Sequence, residues 1–181
     1  MNEQLFTIKW LYNVLALNNK DKHSDILGNT LFNSKINLTP HQIDAALFAL
    51  KSPLDKGVLL ADEVGLGKTI EAGIIIAQNW FEKKSKILII VPASLLRQWQ
   101  NELFDKFFLN SIIFERKVFD EFIKKGYKNP FLGTKDIIIC SYNFASTNRE
   151  FIKDARFNLV VIDEAHKLRN IHNDMIAFFW R

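Results

Sequence analysis

Asp62-Glu63-Val64-Gly65-Leu66-Gly67-Lys68-Thr69 and Asp163-Glu164-Ala165-His166 each follow a short apolar run of β type, at residues 58–61 and 159–162. In the first segment, Gly65 and Gly67 allow the backbone to turn inward, so that N–H groups and the start of a following helix can face an anion. Lys68 then reaches the β- and γ-phosphates as a point charge, and the Thr69 hydroxyl is suited to ligate the Mg²⁺ that accompanies ATP. In the second segment, Asp163 is suited to hold Mg²⁺ through its water shell, and Glu164 to orient and deprotonate an attacking water. Carboxylates at the end of such a strand sit where open α/β sheets bind ligands. The chemistry implied is phosphoryl transfer from ATP to water.

Each segment also has a plainer reading. The literal phosphate-loop pattern places Gly five residues before Gly67, where this chain has Asp62, and a bare Gly-Lys-Thr is equally an ordinary helix start. Asp163 and Glu164 could be solvated acids capping the next helix. Both segments in one chain, each directly after a strand-like run, favour the nucleotide site.

Residues 62–73 and 161–170 resemble motifs I and II of the SNF2-type superfamily 2 ATPases, a family in which Asp is expected at position 62. The wording around the first motif is closest to the bacterial RapA-like branch, typified by an RNA-polymerase-associated protein. The resemblance implies a RecA-like lobe that binds ATP and Mg²⁺. Its nucleotide-binding set would be Gln42, Asp62, Glu63, Val64, Gly65, Leu66, Gly67, Lys68, Thr69 and Ile70. Lys68, Asp163 and Glu164 would carry the catalysis, with Thr69 and Asp163 serving the metal.

Three weaker stretches fall where that family would place them. Leu38-Thr39-Pro40-His41-Gln42 resembles the adenine-recognition segment, with Gln42 bonding the base edge through its amide. Residues 92–102 resemble motif Ia, with Gln98 where many eukaryotic members carry Asn, and Ser141-Tyr142 resembles motif Ib. The family's motifs Ia and Ib touch the nucleic-acid backbone, which implies contacts from Ser94, Gln98, Ser141 and Tyr142. The bland alternatives are a helix start for Gln42, core for Trp99 and a helix cap for Ser141.

By resemblance, the full enzyme would hydrolyse ATP to move on double-stranded DNA and displace bound proteins, with RNA polymerase or another DNA-bound complex as a partner. Only fifteen residues (181 minus 166) follow His166, short of the family's motif III and second RecA-like lobe. That lobe supplies an arginine finger, whose loss costs about a thousandfold or more, so this polypeptide alone is expected to bind nucleotide weakly and turn it over poorly. Two other readings stand beside this one. One is a strand-separating superfamily 2 helicase or the motor of a restriction or phage-defence complex. The other is a non-catalytic nucleotide-binding remnant or docking module, motivated by the apolar end Phe178-Phe179-Trp180.

The elements that must position these residues follow from pattern. Leu5, Ile8, Leu11, Tyr12 and Leu15 have helical spacing, and residues 18–37 read as a polar connecting arm. An N-terminal helix and arm (1–37) therefore precede an ATP-binding lobe over 38–181, with Thr39 as helix cap and Pro40 at the first helical position. From there strands and helices alternate, with helices at 40–51, 69–83, 94–107 and 117–125 and strands at 57–61, 86–91, 112–115, 136–140 and 159–162. The expected fold is α/β, a RecA-like P-loop NTPase lobe with a parallel sheet and helices on both faces. Ile74-Ile75-Ile76 suits a strand on propensity, but loop context makes it a helix buried against the sheet, with Gly73 allowing close approach. The run 159–162 predicts a strand buried on both faces.

Composition narrows the classes further. At 48% hydrophobic, the chain has no run long enough for a membrane span and no secretory layout at its start. One cysteine, Cys140, rules out an internal disulfide and fits the cytoplasm, and its place in an apolar strand suits a buried thiol. Net charge is 24 minus 20, or +4, which permits nucleic-acid binding without demanding it. The clusters Lys83, Lys84, Lys86 and Lys124, Lys125, Lys128 read as solvated faces.

Overall fold

The computed structural model describes residues 39–51, 57–60 and 67–165. The expected helix near the N-terminus, the arm, Asp62 to Leu66 of the first loop, His166 and the aromatic end at 178–180 lie outside the described residues. The chain divides into two units, one of residues 1–84 with 102–109 and one of residues 85–101 with 110–181.

In the first unit, helix α1 (Pro40–Lys51) packs on helix α2 (Lys68–Phe81), and the C-terminal half of helix α3 (Leu96–Phe107) completes it. Ile74 and Ile76 of α2 are two positions apart yet both buried, which fits a helix apolar around much of its circumference. Helix α2 ends two residues earlier than its pattern predicts, because Lys83 takes a left-handed backbone at φ 61°. The close approach at Gly73 is made to helix α3. A Cβ there would lie 2.1 Å from the Phe107 ring, so the missing side chain of α2 is filled by an aromatic ring of α3. Phe108, left-handed at φ 55°, ends α3 with its N–H on the Phe104 carbonyl at 3.0 Å.

The strand expected at 57–61 is not formed over its described residues, 57–60. Gly57 has φ 102° and Leu59 is 74% exposed. Apolar character alone does not make a strand without a ladder partner, and none of the described strands pairs with this segment.

The second unit is built on four parallel strands, β1 (Ile87–Val91), β2 (Ser111–Phe114), β3 (Ile137–Ser141) and β4 (Leu159–Ile162), in the order β2-β3-β1-β4. Strand β1 is buried throughout, as its unbroken apolar run requires. Strand β4 is half-buried, where its sequence predicts burial on both faces. Among the described strands it has one ladder neighbour, β1, and an edge position leaves it partly open.

Helix α4 (Arg116–Lys124), a 3₁₀ turn at Pro130–Leu132, and two short helices absent from the sequence reading, α5 (Tyr142–Thr147) and α6 (Arg149–Ala155), complete this unit. Leu88, Ile90, Ile138 and Cys140 meet a layer of aromatic rings here, with Phe114 and Phe131 stacked at 5.1 Å and Phe119 edge-on to Phe151 at 5.4 Å. Such pairs add to area burial, and they clamp α5 and α6 to the sheet between β3 and β4. The Arg156 turn (φ 49°) closes α6, after which Asn158 N–H reaches the Lys86 carbonyl at 2.8 Å. That bond sets the register of β4, and so the place of Asp163.

Candidate functional site

Of the first loop, the structure describes Gly67, Lys68, Thr69 and Ile70. Gly67 caps α2 in the left-handed region (φ 92°, ψ 35°), and its carbonyl accepts from the N–H groups of Ile70 at 2.7 Å and Glu71 at 3.2 Å. Lys68 and Thr69 therefore form the first helical positions. Their N–H groups belong to the end of a helix that carries partial positive charge and has no intrahelical acceptors for its first donors. Such an end is suited to phosphate.

Gln42 sits directly against this turn. It is 5% exposed, and a Cβ on Gly67 would fall 2.4 Å from its Nε2. Its Oε1 accepts the Thr39 N–H at 3.2 Å, which is one of the two bonds of a capping box at the start of α1, with Gln at the third helical position. The carbonyl side of the carboxamide is thus tied to the helix cap, while the amide side faces Gly67. Glu71 lies within the next turn of α2 and is fully buried. Its carboxylate stands ahead of the apolar run of α2, at the positive end of the helix dipole, a signal the sequence carries.

In the second unit, Asp163 follows directly on β4 and is held at three points. Its N–H donates to the Ile90 carbonyl at 3.0 Å, extending the β1–β4 ladder by one bond. Its Oδ2 accepts from the indole Nε1–H of Trp99 at 2.9 Å, and its carbonyl accepts from the Tyr142 hydroxyl. Glu164 then takes a left-handed backbone with φ 56°, a conformation that costs a non-glycine residue about 1–2 kcal/mol. Strain of this kind gathers at functional turns.

Trp99 is 3% exposed and Tyr142 6% exposed. Trp99 is core, as its plainer reading held, but it is also a polar anchor. Tyr142, expected to touch nucleic acid, is buried with its hydroxyl committed to Asp163. Burial first, and then the charges of Asp163 and Glu164, push its phenol well above the ordinary tyrosine range, so it remains a donor. Ser141 caps α5, its hydroxyl accepting the Phe144 N–H at 3.3 Å. Ser94, in a 3₁₀ turn at Ala93–Leu95, and Gln98, in the first turn of α3, are exposed. Cys140 is fully buried, and burial pushes its thiol up to about 12; an inert structural thiol results.

A carboxylate such as that of Asp163 is the kind of ligand Mg²⁺ takes besides waters and phosphates. It offers about four lone-pair sites, of which Trp99 uses one. In the other unit, Thr69 carries a hydroxyl at the start of α2.

The family model of the SNF2-related domain matches residues 3–178. This chain belongs to the SNF2-related domain family. The SNF2-related chain is 42% identical, over 139 residues, to the RNA polymerase-associated protein RapA of Haemophilus influenzae; the match covers 75% of this chain and 15% of that protein. The Sulfolobus solfataricus SWI2/SNF2 ATPase core, solved in complex with double-stranded DNA, matches with a TM-score of 0.65 and 27% identity. That match covers 81% of this chain and 30% of the solved one. The chain thus spans well under half the length of either relative, and its parallel sheet with helices is the RecA-like fold of an SNF2 ATPase core. No described helix is long and apolar enough to cross a membrane.

Proposed function

We propose that this chain is the ATP-binding lobe of an SNF2-type, nucleic-acid-dependent ATPase that hydrolyses ATP to move on double-stranded DNA and displace proteins bound there. The observation that carries the reading is Asp163, presented at the end of β4 and fixed by Ile90, Trp99 and Tyr142, in a chain whose family membership spans both motifs. A solvated helix-capping acid has no need of a buried indole and a buried phenol.

ATP with Mg²⁺ supplies a phosphoryl group with its negative charge partly neutralised. Lys68 and the N-terminal N–H groups of α2 would bind the phosphates, and Thr69 and Asp163 would serve the metal. Glu164 accepts the proton of the attacking water. The DNA-bound SWI2/SNF2 core supports double-stranded DNA as the partner, the similarity to RapA supports a polymerase or another DNA-bound complex as the obstacle, and both suit residence in the cytoplasm.

The test is nucleotide binding and ATP turnover by the chain with and without double-stranded DNA, against Lys68→Ala. Weak binding that depends on Lys68, with slow turnover that DNA raises, is the expected result. Binding indifferent to Lys68 would overturn the assignment of the phosphate site, and turnover indifferent to DNA would overturn the nucleic-acid role.

A further inference from the structure

The residues assigned to nucleic acid and those holding Asp163 are chain neighbours. Gln98, exposed at the start of α3, precedes Trp99, whose indole N–H donates to Asp163 Oδ2 at 2.9 Å. Ser141, the cap of α5, precedes Tyr142, whose hydroxyl donates to the Asp163 carbonyl. All five residues belong to the same unit. One anchor thus reaches the Asp163 side chain and the other its backbone, from two separate segments.

We propose that Trp99 and Tyr142 are positioning residues that couple nucleic-acid contact at the 94–98 turn and the Ser141 cap to the placement of the Asp163 carboxylate. The proposal rests on the functional reading above and deepens it by naming the link between DNA and the metal-binding carboxylate. Backbone atoms of adjacent residues are covalently tied, Gln98 and Trp99 within α3 and Ser141 and Tyr142 at the start of α5. Displacing Gln98 or Ser141 therefore displaces the donor beside it. Trp99 is buried among packed groups, so its indole cannot rotate freely to absorb the shift. Asp163 answers because its own N–H is pinned to β1, which leaves the carboxylate and the Glu164 turn as the parts able to adjust.

A purely structural role for Trp99 would lower basal and DNA-stimulated turnover in the same proportion. The coupling role lowers their ratio. Trp99→Phe removes the donor together with part of the packed ring, and Tyr142→Phe removes the donor alone at the second anchor, so agreement between the two variants separates the lost bond from lost packing. In both variants we expect DNA affinity to be unchanged and the stimulation ratio to fall by about fivefold, the lower end of ordinary coupling factors.

A second readout needs no turnover. In a ¹⁵N-labelled chain, the Trp99 indole resonance, identified by its loss in Trp99→Phe, should move on adding a DNA duplex without nucleotide, and should move again in Asp163→Asn. An indole resonance unmoved by bound DNA, or a stimulation ratio unaltered in both variants, overturns the coupling while leaving the ATPase reading intact. A chain that binds no duplex overturns both.

Discussion

Gly67 and Gln42 are packed so closely that a Cβ on the glycine would lie 2.4 Å from the glutamine Nε2. The same glycine has φ 92°, so two independent reasons require glycine there. Gly67→Ala is expected to destabilise the protein by about 2 kcal/mol or more, combining left-handed strain of about 1–2 kcal/mol with the clash. Adding Gln42→Ala should restore the steric part and leave the backbone part, a non-additivity that denaturant titration of the single and double variants would reveal. Additive losses would show that the two residues do not meet.

Gln42 carries two separable roles, a cap on α1 through Oε1 and the adenine contact proposed for its amide. Glu at the same position can still accept the Thr39 N–H, so Gln42→Glu should keep the cap, at the desolvation cost of a buried carboxylate, while altering the preference between ATP and GTP. Gln42→Ala should lose about 1 kcal/mol as well. If Gln42→Glu binds both nucleotides as the parent does, the carboxamide serves the fold alone.

Much of this arrangement was legible in the sequence, and the parts that were not share a cause. Helix α1 runs over the residues its cap and proline mark, and β4 over the apolar run before Asp163, because local signals of type and spacing determine both. Helices α5 and α6 were missed since six- and seven-residue helices hold too few turns to show a period, and α5 includes Asn143, Ser146 and Thr147, poor helix formers. The bond between Trp99 and Asp163 joins residues 64 positions apart. No local pattern marks such a pair; only the β1–β4 register brings them together. The close approach expected at Gly73 is present, and the ring that fills it, Phe107, has no signal in composition.

Burial gives the protein an alkaline liability. The Cys140 thiol is pushed up to about 12 in the folded chain, against about 8.5 when unfolded. Below pH ~8.5 both states hold the proton and its binding contributes fully to folding. As pH rises towards 12 the unfolded chain alone releases it, so stability falls, by about 1.4 kcal/mol per pH unit for this group. Tyr142, raised in the same direction, adds to the loss above pH ~10. Cys140→Ala should therefore flatten the decline of denaturation midpoint between pH 9 and 10.5, measured against its own neutral value. An unchanged slope would mean that the thiol does not titrate on unfolding. Iodoacetamide at neutral pH should modify Cys140 only at the rate of opening.

The last prediction concerns Glu164, whose left-handed φ of 56° is maintained in a residue that the proposed chemistry needs as a base. Glu164→Gln keeps the backbone demand and removes the base, so nucleotide binding should persist while turnover falls by about 10²–10⁴-fold. Glu164→Ala and Glu164→Gly both remove the carboxylate but differ in backbone preference. At an ordinary position the alanine variant is the more stable, by about 0.4–1 kcal/mol, through the entropy of the unfolded chain. At a left-handed position the order reverses, because alanine meets the steric cost and glycine does not. Thermal melts of the two variants decide the matter. A more stable glycine variant shows that the turn stores strain that the parent chain tolerates to hold a carboxylate there. A more stable alanine variant would mean that the Glu164 backbone relaxes in solution, and strain would then have no part in presenting the base.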